Sequence, residues 1–526
     1  MLIRCRQASH LLNTLKHNCK TIKQVLQIHA QAITRGIFLI HPHILHNQIL
    51  HSFTKNLQTY PPDPKISLHY VTNLFNIISN PNTFCYNNII RAHTLLSNPQ
   101  NALMYFKKML QFSIPPGTHT YPFTLKACAQ IKSLSLVKTL HCQTTKNGFL
   151  ADVYVFNSLI HIYALSSEVE SAYKVFDESC HRDLVSYNAM IDGFVKCGEV
   201  DKARELFDQM STKDAVSWGT ILSGYAKMNR RREAIELFEQ MMLLNTRPDN
   251  IALISVLSAC AQLGELEKGM IIHDYVLRNG IELDEYLTTG LVDMYAKCGL
   301  VEKAREIFEL CHKKNVFTWN ALLVGLAMNG DGKLVLDYFS RMVESGTRPD
   351  GVTILGVLVG CSHAGLVNEA RRIFNEMECI YGIPPELKHY GCMADLLGRA
   401  GLTKEAMEMI EAMPIKGDVF VWGGLLGGCR LHGEVEMAEK AAEHLMELKP
   451  EDGGAYSILA NMYVNAERWD DLVKIRKLRD CRSIKKIAGC SMIQLNGITH
   501  EFVAGDDLHP ETDEIYMVLN GLEQHH

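Results

Sequence analysis

Apolar side chains in residues 184–214 recur at the spacing of a helix face. Met190, Ile191, Phe194 and Val195 fall at i, i+1, i+4 and i+5, the stripe expected of a buried helix. "KCGE" then interrupts the period, with Gly198 placed to cap a helix C-terminus. The period resumes through Val200, Ala203, Leu206, Phe207 and Met210. The pattern predicts two short helices joined by a tight turn. Such a pair cannot bury its apolar faces alone, whereas a stack of pairs can.

The pairs repeat. "KCGEVDKARELF" (Lys196–Phe207) returns as "KCGLVEKAREIF" (Lys297–Phe308), nine of twelve letters identical at an offset of 101 residues. Aligning the chain on aromatic–Asn starts and "RPD" ends resolves the offset into lengths of 35, 35 and 31. About ten repeats follow, at 83–117, 118–152, 153–183, 184–214, 215–249, 250–284, 285–315, 316–350, 351–386 and 387–418. Tyr86, Tyr187, Trp218 and Trp319 all sit at the fourth position of their repeats. The predicted fold is an all-α solenoid, its concave face presenting one set of side chains per repeat.

Composition changes this picture little. A chain of 526 residues is too long for one core, and 47% hydrophobic with 21% charged residues lies far from disorder. Apolar runs such as Gly351–Leu366 are short and interrupted, so no membrane span is expected. Cys128, Cys260 and Cys361 share position 11, Cys429 has that place in a later hairpin, and Cys197 and Cys298 share position 14. Cysteines in step with the repeat read as small core residues. There is no CxxC, so neither a structural metal nor a cofactor is expected.

Charge is uneven. Residues 1–62 hold seven Lys/Arg and no Asp or Glu, leaving 46 basic against 58 acidic residues, a net of −12, in the remainder. The basic start, with Leu2, Ile3, Leu11, Leu12 and Leu15, predicts an organellar transit peptide over residues 1–20. The alternative is that these residues form the first amphipathic helices of the fold.

The alternation of repeat lengths, with "YNNIIRAH", "YNAMIDGFVKCG" and "RPD", resembles the plant pentatricopeptide repeat family. "ISVLSACAQLGELEKGMIIHDYVLRNG" and "HYGCMADLLGRAGLTKEAMEMIEAMP" are similar to the long and final short motifs of the subfamily that alternates standard, long and short motifs. The resemblance implies a right-handed α-solenoid superhelix, with degenerate repeats over 21–82. Residues 419–486 resemble the E extension of that subfamily, and 487–526 its E-plus segment. The chain is expected to lack the DYW deaminase domain of the longest relatives. Two H-x-E triplets, His432–Glu434 and His509–Glu511, have no downstream CxxC to complete a zinc deaminase site, so no catalysis is expected.

What the resemblance implies is single-stranded RNA recognition at about one base per repeat. The family's readers, at the fifth and last positions, map onto Asn157/Asp183, Asn188/Asp214, Thr289/Asn315 and Asn320/Asp350. Asn87/Gly117 and Gly219/Asp249 depart from the pattern and carry weaker expectations. By the family rule Asn-then-Asp prefers U over C, and Thr-then-Asn prefers A. The long motifs place Pro122, Ile254 and Leu355 at position five, none able to hydrogen-bond a base edge. The competing reading of each pair is a helix cap and a turn. The expected role is site recognition for organellar C-to-U editing. Its partners would be single-stranded organellar RNA, a DYW-type cytidine deaminase acting in trans and editing accessory factors, in mitochondrion or chloroplast. The alternatives are an RNA-binding factor for stability, splicing or translation, and a helical protein scaffold.

Overall fold

The computed structural model describes residues 10–16, 19–37, 42–57, 63–179, 182–482, 484, 489–495, 498–505 and 509–523. The expected helical hairpins are present. Leu184–Lys196 and Val200–Gln209 form one, joined through Gly198 at φ +82°, a conformation open to glycine. The first helix is capped by Asp183 and Ser186 in a capping box, which satisfies two otherwise orphaned backbone donors. Its counterpart is Glu285–Lys297 followed by Val301–Leu310, turning through Gly299 at φ +85°.

Successive hairpins stack through aromatic contacts. Phe207, on a second helix, meets Trp218 of the next repeat edge-on at 4.8 Å, and Phe308 meets Trp319 at the same distance. Phe176 and Tyr187 repeat the contact at 5.1 Å. The fourth-position aromatic is therefore a stacking residue, each pair adding about 0.5–1.5 kcal/mol beyond its buried area. First helices approach closely where glycine removes the side chain: a Cβ on Gly193 would lie 2.8 Å from Ala164 Cβ, and one on Gly325 2.2 Å from Ala296 Cβ. Cys128, Cys260, Cys361 and Cys429 are fully buried in this stack. Burial pushes the Cys128, Cys361 and Cys429 thiols up to about 11 and that of Cys260 up to about 12, so they pack as small apolar groups.

Contacts divide the chain into two compact units, residues 1–255 and 256–526. The first begins with a helical segment at 10–16, then Ile22–Thr34, Pro42–Asn56 and Pro64–Asn76. Leu11 and Leu15 are buried, and the Leu15 carbonyl accepts from the Ser52 hydroxyl at 3.0 Å. Residues 10–16 thus pack as fold, while most of the expected transit peptide lies outside the described residues. The second unit closes with the helical pairs Val419–His432/Val435–Leu448 and Gly453–Asn465/Trp469–Cys481. An antiparallel hairpin follows, Cys490–Leu495 with Ile498–Val503, registered Cys490 to Val503, and then helix Thr512–Glu523. The helical period had not suggested these strands.

Candidate nucleic-acid interface

The last residue of one repeat caps the first helix of the next, so it stands beside the fifth residue of its own repeat. Asp183 Oδ1 accepts from the Ser186 amide at 2.8 Å and the Ser186 hydroxyl at 2.7 Å. The same oxygen accepts from Asn157 Nδ2 at 3.2 Å, while the Ser186 hydroxyl also lies 2.7 Å from Asn157 Oδ1. Asp350 repeats the arrangement: its Oδ1 is 3.0 Å from Asn320 Nδ2, and the Thr353 hydroxyl donates to Asn320 Oδ1 at 2.6 Å. In the third pair Asn188 Nδ2 donates to Asp214 Oδ1 at 3.2 Å, and the Ser217 hydroxyl serves Asp214 at 2.7 Å. Cap and amide are one hydrogen-bonded group.

Each carboxylate spends only Oδ1 on these contacts. Asp183, Asp214 and Asp350 make no hydrogen bond through Oδ2 within the described residues. Burial would raise their pKa values, but the bonds from Ser186, Ser217 and Thr353 outweigh it and hold all three below the usual range. The asparagines retain one Nδ2 hydrogen each. The group therefore offers an anionic acceptor beside an amide donor.

The other pairs differ. Thr289 and Asn315 share no direct hydrogen bond; the Thr318 hydroxyl bridges them, 2.8 Å from Thr289 Oγ1 and 3.1 Å from Asn315 Oδ1. Asn315 Nδ2 donates instead to Glu285 Oε2 at 3.0 Å. Asn87 Oδ1 accepts from the Thr120 hydroxyl at 2.7 Å, and Thr120 Oγ1 accepts from the Gly117 amide. At Gly219 a Cβ would lie 2.9 Å from Asp249 Oδ1, so this carboxylate fills the space of the missing reader.

Two features were not anticipated from the sequence. A hydroxyl at the third position, Thr120, Ser186, Ser217, Thr318 or Thr353, is fully buried; Ser217 bonds only Asp214, and the other four bridge the two residues of their pair. Its signal was present as "DLVS", "DAVS", "NVFT" and "DGVT", which carry a hydroxyl three residues after each capping residue. The second signal is a row of solvent-facing apolar residues at position two. Tyr154, Val185, Val216, Tyr286 and Phe317 are each more than half exposed, and Val185, Val216 and Phe317 directly precede a buried hydroxyl. Three of the four H-x-E residues are engaged elsewhere: His432 Nε2 lies 3.0 Å from the Arg399 carbonyl, Glu434 accepts from Thr403 at 2.8 Å, and His509 meets His500 at 2.8 Å.

Stacked two-helix repeats with polar pairs at one register define an α-solenoid of helix-turn-helix repeats. The PPR repeat model matches residues 84–114, 154–184, 288–316, 317–347, 355–380 and 388–418, with related repeat models at 179–211 and 213–262. An E motif matches 432–494. The pentatricopeptide repeat-containing protein At5g61800 of Arabidopsis thaliana is 52% identical over 90% of this chain and 97% of its own length. The chloroplastic pentatricopeptide repeat-containing protein At1g08070 of the same plant is 39% identical over 98% of this chain and 82% of its own. The crystal structure of the pentatricopeptide repeat protein PPR10 from maize superposes with a TM-score of 0.50 at 18% identity, covering 89% of this chain and 72% of that one. The chain belongs to the pentatricopeptide repeat family and carries an E motif.

Proposed function

We propose that this protein binds single-stranded organellar RNA in a sequence-specific way and marks sites for C-to-U editing, with a deaminase supplied in trans. The observation that carries the reading is the Asn–Asp group repeated at 157/183, 188/214 and 320/350. Uracil presents an N3–H donor beside the O4 acceptor. The Asp Oδ2 accepts the first and the Asn Nδ2 hydrogen meets the second. Cytosine turns a lone pair at N3 and an amino group at N4 to the same two atoms, leaving the carboxylate facing an acceptor. An unmet polar contact of this kind costs about 1–3 kcal/mol, which favours U. The exposed apolar residues at position two supply surfaces for base stacking.

Family membership and the chloroplastic relative support an organellar address, and the E motif supports a role in editing beyond RNA binding alone. Helix Thr512–Glu523 exposes Tyr516, Met517, Val518, Leu519 and Leu522, a surface suited to the deaminase or an accessory factor. The test is organellar RNA sequencing in a knockout. Loss of conversion at one or a few cytidines, each preceded by a tract matching the pairs, is expected. Full conversion everywhere with altered transcript levels or splicing would replace editing by the RNA-processing alternative.

A further inference from the structure

A cavity of about 790 Å³ opens between helices Thr120–Ile131 and Val153–Leu165, large enough for a nucleotide. Its apolar wall includes Phe123, Ile162 and Leu165, its polar rim includes Lys126, Lys132 and His161, and no carboxylate lines it. Lys126 and His161 stand at position nine of their repeats, one helical turn below the fifth-position residues Pro122 and Asn157 and on the same helix face. Arg91 takes position nine of the preceding repeat, its guanidinium 5.2 Å above the Phe123 ring. Neither Lys126 nor Lys132 forms an ion pair among the described residues.

A second observation comes from the backbone. Lys132 adopts the left-handed conformation, φ +58° and ψ +35°, at the helix C-cap. The same position in the other long repeats is Gly264 (φ +72°) and Gly365 (φ +67°). A lysine there is strained relative to glycine, and its ammonium is on the rim of the cavity.

We propose that this cavity seats one nucleotide of the bound RNA strand, its phosphate held by Lys126 and Lys132 and its base against the apolar wall. The proposal rests on RNA binding along the face that carries the Asn–Asp pairs. The occupant is the strand rather than a free nucleotide because the cavity is lined by Ser158, the neighbour of Asn157, and by His161, one turn below Asn157 on the same helix, and so lies on the path of a strand read there. Pro122 gives the base no hydrogen-bonding partner, so this repeat contributes affinity without selecting a base.

The test uses the full chain and a 20-nucleotide oligouridylate in gel shifts over a range of salt. The variant Lys126→Ala with Lys132→Gly is expected to bind roughly ten-fold more weakly, and the slope of log affinity against log salt to shrink by about 1.4, two phosphate contacts at about 0.7 each. Lys132→Gly alone relieves the left-handed strain, so its thermal midpoint should equal or exceed that of the parent while its affinity falls. A purely structural role for Lys132 cannot produce that split. Unchanged affinity and slope, with the parent binding the RNA, would overturn the cavity assignment alone. A parent that fails to bind any single-stranded RNA would overturn it together with the proposed function. Uridine monophosphate binding as tightly as the 20-mer would show a free-nucleotide site and refute the strand.

Discussion

A polar pair at a helix start invites two readings, cap or reader; the side chains here cap, and their geometry is compatible with the proposed reading role. Asp183 caps the Leu184 helix with Oδ1 and makes no hydrogen bond through Oδ2 among the described residues, while Asn157 is held in place by that cap and by Ser186. Capping fixes the rotamer that the proposed reading would require. The repeat 285–315 allows a test of the proposed reading. Its Thr289/Asn315 pair favours A under the family rule, and Thr289→Asn with Asn315→Asp would copy the Asn320/Asp350 pair, which under that rule favours U. The new carboxylate, however, would face Glu285, whose Oε2 now accepts from Asn315; the equivalent residues are Val153, Leu184 and Val316. Two carboxylates at hydrogen-bonding distance repel, so the double variant alone should gain little. Adding Glu285→Val completes the switch, with U favoured over A by roughly 10- to 100-fold on an edge contact of about 1–3 kcal/mol. Gel shifts on a tract carrying A or U at that nucleotide decide it. A triple variant that is still helical and still prefers A would show that these residues only cap and turn.

At the scale of the element, periodicity carried most of the fold. The i, i+4 stripes and the Gly198 and Gly299 breaks mark helices and turns because local geometry alone dictates them. The third-position hydroxyls were harder to see, since a buried serine is legible only when its partner one repeat away is known. Lys132 and the cavity beside it were beyond the sequence for the same reason: they arise where two first helices meet. The strands at 490–503 escaped because a short isolated hairpin leaves no helical period to break. Close helix packing makes a further prediction. Gly325→Val would drive a Cβ to 2.2 Å from Ala296 Cβ and wedge two first helices apart, costing about 1–3 kcal/mol or more. Gly330→Ala meets no atom within 4 Å, and its φ of +84° costs it about 1 kcal/mol. Thermal melts followed by circular dichroism should rank them Gly325→Val below Gly330→Ala below the parent. The reverse order would mean that the helices relax apart at little cost.

For the whole molecule the question is how an acidic chain holds a polyanion. Residues 63–526 carry 46 basic and 58 acidic side chains, which does not favour affinity from phosphate neutralisation alone. Positions nine and thirteen lie below position five on the same helix face, and there the charges cancel. Asp192 pairs with Lys196 at 2.6 Å, Asp293 with Lys297 at 2.8 Å, and Asp395 with Arg399 at 2.8 Å. Lys227 has the same register, with Ser223 where the acid would stand, and makes no ion pair among the described residues. Among the described residues, Lys126 at position nine, Lys227 at position thirteen and Lys132 at the helix C-cap form no ion pair and are free to take a phosphate. Three such contacts give a salt slope of only about −2 for a single strand, leaving selectivity to the base edges. Asp192→Asn with Asp293→Asn should release Lys196 and Lys297, steepen the slope by about 1.4, and raise affinity for matched and mismatched RNA alike. The ratio of the two affinities should then stay that of the parent, since an equal gain cancels in the difference. Binding isotherms for a matched tract and a scrambled one, each at several salt concentrations, measure both quantities. If the variant keeps the parent's slope, these acids only brace their helices, and the shallow electrostatics of the parent must originate elsewhere on the chain.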